Sequence, residues 1–202
     1  ELFNITIRKT INVLKGEDEK KKEFILEFIK HADLSVEDFI YDENTVIKGS
    51  NNIPISEEVL NKIDIFDQLK LFTTYSGKRV PSIFFDSTGT KKIEAIASYV
   101  YEAIICGKTL IIDELDNGLH FKLTRAILSA FNSFTNTKGQ LLFTAHDIEL
   151  ISCKALMRKD QIYFSFRNDD LSSALFCLKD APVSEGGPRT AEDLLKHYNR
   201  GE

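Results

Sequence analysis

The chain has 202 residues with 26 Lys+Arg against 31 Asp+Glu, a net charge of −5, and it is 43% hydrophobic and 28% charged. That balance excludes a disordered chain, and the length suits one domain with or without an appended subdomain. No run approaches the ~20 apolar residues of a membrane helix, no secretory leader opens the chain, and bulk charge does not advertise nucleic acid.

The first 80 residues are charged and irregular. The run Glu17 to Glu23 leads into Phe24, Ile25, Phe28 and Ile29, apolar at helical spacing, so a surface helix with one buried face is expected, ending near His31. Asp33 or Ser35 can cap a second short helix through Val36 and Phe39. Residues 41–56, punctuated by Gly49-Ser50-Asn51-Asn52, read as a linker. A strand over 69–75 ends at Ser76-Gly77.

Composition shifts near residue 80, and the order becomes regular. Ile83-Phe84-Phe85 leads into the polar turn Asp86-Ser87-Thr88-Gly89. Ile93, Ile96, Ala97, Val100 and Ile104 then mark a helix that Gly107-Lys108 stops. Thr109 to Ile112 is a short apolar run ending in Asp113-Glu114, the pattern of a strand buried on both faces. Leu119 to Phe134 carries a second amphipathic pattern, closed by Gly139. Gln140 to Thr144 is the next buried strand and runs into Ala145-His146-Asp147. Strand, helix, strand at these lengths predicts a parallel βαβ unit. Residues 161–166 and 174–178, joined by Asn168-Asp169-Asp170, predict a hairpin.

Ligands of open parallel sheets sit at the carboxyl ends of strands. Two neighbouring strands here end in Asp113-Glu114 and in Thr144-Ala145-His146-Asp147. Carboxylates at such a place suit a hydrated Mg²⁺, which takes few protein ligands and shares substrate phosphate. Ser87 and the bare backbone of Gly89 open a helix, whose first amides can receive an anion without a positive side chain. Each motif alone has a plainer reading: a strand-end carboxylate, a helix cap, a histidine at a helix start. Three in fixed order are more telling.

That order resembles the second half of an ABC-type ATPase domain. Asp86 to Lys92 is similar to the signature motif, Leu110 to Glu114 to the Walker B strand, Leu115 to His120 to the D-loop, and Thr144 to Asp147 to the switch-histidine motif. The texture resembles the RecF/SMC/OLD side of the superfamily. The signature, the 160–164 strand and the tail 194–202 resemble bacterial ABC/AAA-type ATPases of abortive-infection and anti-phage systems. The resemblance covers residues 81–202 well and the first 80 only loosely. It implies an α/β fold, an incomplete parallel-sheet P-loop NTPase core over 81–202, preceded by a mainly helical arm or inserted lobe over 1–80. It also implies ATP and Mg²⁺ as cofactors, Glu114 and His146 as catalytic residues, and Asp113 as the metal ligand. Ser87, Thr88, Gly89, Asp116 and Asn117 would contact nucleotide. Thr88 and Thr90 stand where many relatives have glycine or glutamine, and His120 where transporters have Asp.

A Walker A loop, G-x-x-x-x-G-K-[ST], is not found. Gly107-Lys108-Thr109 has Glu102 at the first glycine position and precedes a strand rather than a helix, so it is a decoy. The first residue is Glu1 and the single methionine is Met157, so an upstream lobe carrying Walker A and the Q-loop is expected. The resemblance implies ATP-driven closure of paired domains through composite sites, in the sensor or regulator ATPase of an anti-phage system. A nuclease or toxin effector and DNA are the candidate partners, and no membrane is implied. The rival readings are a RecF/SMC-like DNA clamp and an assembly module that closes on ATP with little hydrolysis. Three cysteines without CxxC spacing suggest neither a zinc knuckle nor a disulfide framework, and a reduced cytoplasmic setting is the simplest expectation.

Overall fold

The computed structural model describes residues 7–45, 65–134, 136–152, 156–168 and 170–180. Helix α1 spans Arg8–Lys15 and α2 Glu19–Ala32, followed by strand β1, Asp38–Tyr41. Strands β2 (Leu71–Tyr75) and β3 (Lys78–Pro81) complete an antiparallel sheet of order β1-β2-β3. Next come the short helix α3 (Ser82–Phe85), the long helix α4 (Thr88–Cys106), β4 (Thr109–Ile112), α5 (Phe121–Phe131) and β5 (Gln140–Phe143). Strands β6 (Tyr163–Arg167) and β7 (Ser173–Cys177) form the expected hairpin. The chain divides into compact units 1–145 and 146–202.

Helix α2 begins where the sequence says it should. Asp18 caps it by accepting from the Lys21 amide, and Ile25, Phe28 and Ile29 turn inward while the charged residues stay out. The short helix expected through Val36 and Phe39 is instead strand β1, with Phe39 level with Thr73 on β2. Asp33 serves there as the C-cap of α2, and its carboxylate turns the chain by accepting from the Ser35 amide and hydroxyl. Beyond residue 45 the expected linker over 41–56 lies outside the described residues, as do the tail 194–202 and Asp169 of the hairpin turn.

The first unit is built around α4. Its apolar residues Ile93, Ile96 and Val100 are buried together with Ile11 of α1 and Ile25 and Ile29 of α2. Helices α1 and α2 both pack on α4, and α5 packs on α2 and α4. The compositional shift near residue 80 therefore does not mark a break in packing, because helices from before it bury their faces on a helix from after it. The described residues before 81 also carry the antiparallel sheet, so this part is not purely helical.

Strands β4 and β5 pair in parallel, with Ile112 level with Phe143, as expected of a βαβ unit. They are not buried on both faces. Ile111 and Leu142 are 63% and 62% exposed, whereas Ile112 is buried. Side chains alternate across a strand, and α4 packs on the sheet, so Ile112 turns inward while Ile111 and Leu142 turn outward. No helix among the described residues is long and apolar enough to cross a membrane.

The decoy Gly107-Lys108-Thr109 is a helix stop. Gly107 takes a left-handed conformation (φ 68°) as the C-cap of α4. Lys108 joins Lys9 in pairing with Glu102, at 2.9 and 2.8 Å. The bonds from Lys9 and then Lys108 hold the Glu102 carboxyl down to about 2.

Replacing Ile29 by Ala should destabilise the first unit by about 2–4 kcal/mol, through lost transfer energy and a residual cavity at the α2–α4 contact. Urea denaturation should report this as one lowered midpoint shared by probes before and after residue 80. Separate transitions for the two segments would show that they are independent.

Candidate active site

The carboxyl ends of β4 and β5 converge through one hydroxyl. The parallel register places Ile112 beside Phe143, so the residues that follow are brought level. The Thr144 amide donates to the Ile112 carbonyl at 3.1 Å, and the Leu115 amide to the Thr144 carbonyl at 2.9 Å. Between these backbone bonds, the Thr144 hydroxyl donates to Asp113 Oδ1 in a short contact and accepts from the Glu114 amide at 2.8 Å. A hydroxyl can do both at once. Thr144 thus orients two acidic residues from the neighbouring strand.

Glu114 has φ 49°, the left-handed region that a side chain with a Cβ seldom adopts. The chain reverses there. The Asn117 amide donates to the Glu114 carbonyl at 3.0 Å, and Asn117 Nδ2 donates to Glu114 Oε2 at 3.0 Å. Asp116 and Asn117 occupy this turn. Lys92 of α4 braces it from the other side, donating to the Leu115 carbonyl at 3.2 Å and the Asn117 carbonyl at 2.5 Å. Burial lowers the Lys92 pKa, against the pull of Asp116 and Glu114. His120 caps α5 through Nδ1, which accepts from the Lys122 amide at 3.2 Å.

The turn at the start of α4 lies against this loop. Ser87 is the N-cap, its hydroxyl accepting from the Thr90 amide at 3.0 Å. Ser87 and Thr88 are exposed, Gly89 and Thr90 buried. The Thr90 hydroxyl donates to Asp33 Oδ2 at 2.8 Å, which ties the turn to the end of α2. Gly89 lies close to α5 and to the loop. A Cβ there would stand 2.8 Å from Leu123 Cδ1 of α5 and 3.6 Å from the Gly118 carbonyl oxygen.

Asp113, Glu114, Asp116 and Asn117 thus share one loop, with the Ser87-Thr88-Gly89 turn bridged to it by Lys92 and by the contact of Gly89 with α5. His146 begins the second unit, two residues after Thr144 and exposed. Among the described residues no three His, Cys, Asp or Glu side chains gather as a metal shell. One exposed strand-end carboxylate, Asp113, fits an ion that keeps most of its water. Two working residues were not singled out from the sequence. Thr144 had a signal, since a hydroxyl in register with a strand-end acidic pair can bridge it. Lys92 had none, because its role depends on how α4 lies against the loop.

The chain matches a known family and a curated relative. The family model described as "AAA domain, putative AbiEii toxin, Type IV TA system" matches residues 11–152. The chain belongs to this AAA-domain family. The match spans residue 80, as does the packing of α1 and α2 on α4, and it takes in the Ser87–Gly89 turn, the Asp113-Glu114 strand end and Thr144. The AAA domain is also similar to the "ATP/GTP phosphatase" of Helicobacter pylori (strain ATCC 700392 / 26695), with 28% identity over 152 residues, 66% of this chain and 38% of that protein. The chain spans well under half the length of that relative.

Thr144→Val keeps the shape of the side chain and removes its hydroxyl. It should cost about 1–3 kcal/mol, as for two partly exposed hydrogen bonds, whereas Thr144→Ser should cost less. Chemical denaturation of the two variants checks this, and equal stability of the Thr144→Val variant and the native protein would show that the hydroxyl holds nothing.

Proposed function

We propose that this AAA domain carries the signature turn, Walker B strand end and switch histidine of an ABC-type ATPase, and that it hydrolyses ATP once a Walker A loop completes it. The observation that carries this reading is the Thr144 hydroxyl, which joins the Asp113 carboxylate and the Glu114 amide at the ends of two parallel strands. Family membership and the name of the Helicobacter pylori relative support a nucleotide hydrolase. The small share of that relative which the chain covers supports a Walker A loop elsewhere in the whole protein.

Asp113 would hold Mg²⁺ through water. When bound, the ion supplies charge neutralisation at the phosphates. Glu114, on the adjoining reversed turn, would accept a proton from the attacking water as its oxygen bonds to the γ-phosphorus and ADP departs. His146 would contact the γ-phosphate. In a paired assembly, Ser87, Thr88 and the first amides of α4 would meet the nucleotide of the other subunit, with Asp116 and Asn117 contributing from the loop. Gly89 would let the turn seat on α5. The description of the family, with its AbiEii toxin and Type IV TA system, favours a defence setting, in which the ATPase restrains or releases a nuclease or toxin. Turnover stimulated by DNA would favour a clamp instead, and ATP-dependent assembly with negligible turnover would favour a scaffold.

Glu114→Gln in the full-length protein should lower kcat by about 10²–10⁴-fold, the range for loss of a general base, with ATP binding kept. Asn117 still finds an acceptor on the amide, so the loop is preserved. His146→Ala should also reduce turnover. A steady-state ATPase assay decides, and native rates for Glu114→Gln would make Glu114 a structural strand-end residue.

Residues 1–202 alone should bind ATP weakly, because successive backbone amides and the lysine of a phosphate loop are not among them. Calorimetry that found micromolar affinity for this segment would relocate the nucleotide site.

A further inference from the structure

Beneath the Ser87–Gly89 turn lies a cluster of buried polar groups that the proposed chemistry does not use. Asp86 and Glu94 are 5% and 1% exposed. Asp86 immediately precedes Ser87 and caps the C-terminus of α3, and Glu94 lies two turns into α4. Carboxyl groups are seldom buried without partners, and these have several. The Thr73 hydroxyl donates to Asp86 Oδ2 at 2.6 Å, and the Tyr75 hydroxyl to Oδ1 at 2.8 Å. The Ser82 hydroxyl lies 3.1 and 3.0 Å from the two carboxyl oxygens of Glu94 and donates to them. The two acids are near enough for each to act on the other's titration. Thr10 of α1 donates to the Glu94 carbonyl at 2.8 Å and meets Ser98 at 2.9 Å, which fixes the helix at that level.

We propose that the buried Asp86–Glu94 pair is the positioning device of the signature turn, holding Ser87 and the first amides of α4 at the place where a nucleotide phosphate is received. This rests on the ATPase reading of the turn. Two neighbouring carboxyl groups buried away from water do not both ionise readily, so the pair favours holding one proton. Burial and then Asp86 push the Glu94 pKa well above the ordinary glutamate value. Burial would also raise Asp86, but the bonds from Glu94, Ser82, Thr73 and Tyr75 outweigh it and hold Asp86 below the usual carboxylate range. Glu94 is therefore the donor and Asp86 the acceptor. The other groups that act on the pair are Lys91, which favours the charged form of Glu94, and Tyr75, raised by burial and by Asp86, with Asp33 also acting on it.

The geometry makes the turn depend on that proton. Asp86 is extended (φ −76°, ψ 143°), and its side chain points into the molecule. Its anchoring to β2 and to Glu94 sets the direction in which the chain enters Ser87, and so the aim of the α4 amides. Glutamine at this position of α4 can reproduce both bonds, its amide donating to Asp86 and its carbonyl accepting from Ser82. Leucine fills a similar volume and reproduces neither. The linkage has a definite sign. Because the folded pKa of Glu94 is raised, the stability the pair confers is complete below the ordinary glutamate range and is lost as pH rises through the raised value.

The test measures amide exchange of residues 87–92 and ATP turnover across pH in the full-length protein. Glu94→Leu should speed exchange of this segment about tenfold and lower kcat by about 10–100-fold, as misplacement of a reacting group does, with KM for ATP little moved. Glu94→Gln should keep native exchange and native turnover at neutral pH, and should lack the decline expected of the native protein as pH rises through the raised Glu94 value. Thr73→Val removes one donor to Asp86 and should act in the direction of Glu94→Leu, and it decides the matter alone if Glu94→Leu does not fold. Native exchange in 87–92 for whichever of Glu94→Leu and Thr73→Val folds would overturn the proposal, as would a decline with rising pH that is the same in the native protein and in Glu94→Gln. A native protein that hydrolyses no ATP would instead sink the ATPase reading, while the exchange result would still judge the pair.

Discussion

Burial of α4 is the constraint on which the rest of the first unit depends. Eleven of its nineteen residues are buried, far more than the single stripe of a surface helix. α1 and α2 cover it on one side, and α5 and β4 also pack on it. A helix enclosed in this way has little freedom to shift along its axis, since every ridge is seated among neighbours. Its N-terminus is consequently a fixed point in space. The capped turn at Ser87 inherits that fixity, and so does Lys92, which reaches from the second turn of the helix to the loop after Glu114.

The strand-end acids are placed by a different means, since a two-stranded parallel sheet with one open face gives limited rigidity by itself. Local hydrogen bonds take over. Thr144 ties Asp113 and Glu114 to β5, Asn117 closes the reversed turn, and Lys92 ties that turn to α4. The Ser87–Gly89 turn and the acidic loop, separate motifs in the sequence, are thus one mechanical object. In the ATPase proposal they would serve different nucleotides of a pair, and a rigid link between them would let events at one site be felt at the other.

Much of this was legible in the sequence where a local rule decides. Helical spacing gave α2 and α4, a left-handed glycine gave the stop at Gly107, and the apolar runs before Asp113 and Thr144 gave the parallel pair. The misreadings occur where tertiary contacts decide. Val36 and Phe39 were compatible with a helix turn, but pairing with β2 won. The step in composition at residue 80 suggested a boundary, yet Ile11, Ile25 and Ile29 pack on α4 across it. That Gly89 also lies against Leu123 of α5 depends on how the two helices pack, which no local rule shows. Asp86 stood in the sequence only as the first residue of a motif and Glu94 drew no notice, because the pair's burial depends on contacts with β2 and neighbouring helices.

The two lysines that follow the turn, Lys91 and Lys92, do not point their charge at open space. Both are engaged with backbone carbonyls instead: Lys91 donates to Ile83 at 2.8 Å, and Lys92 to Leu115 and Asn117. Their charge braces the scaffold. In a chain of net charge −5, with Asp113, Glu114 and Asp116 close by, an anion reaching this turn would rely on directed amides at the N-terminus of α4. The attraction of a helix terminus is of order 1 kcal/mol and falls off within a turn, so it is effective only if the amides are aimed correctly. Aim, rather than charge, is then the quantity the surrounding structure has to protect, which accounts for a turn held by Asp33, Ser87 and Leu123 above and by two buried acids below.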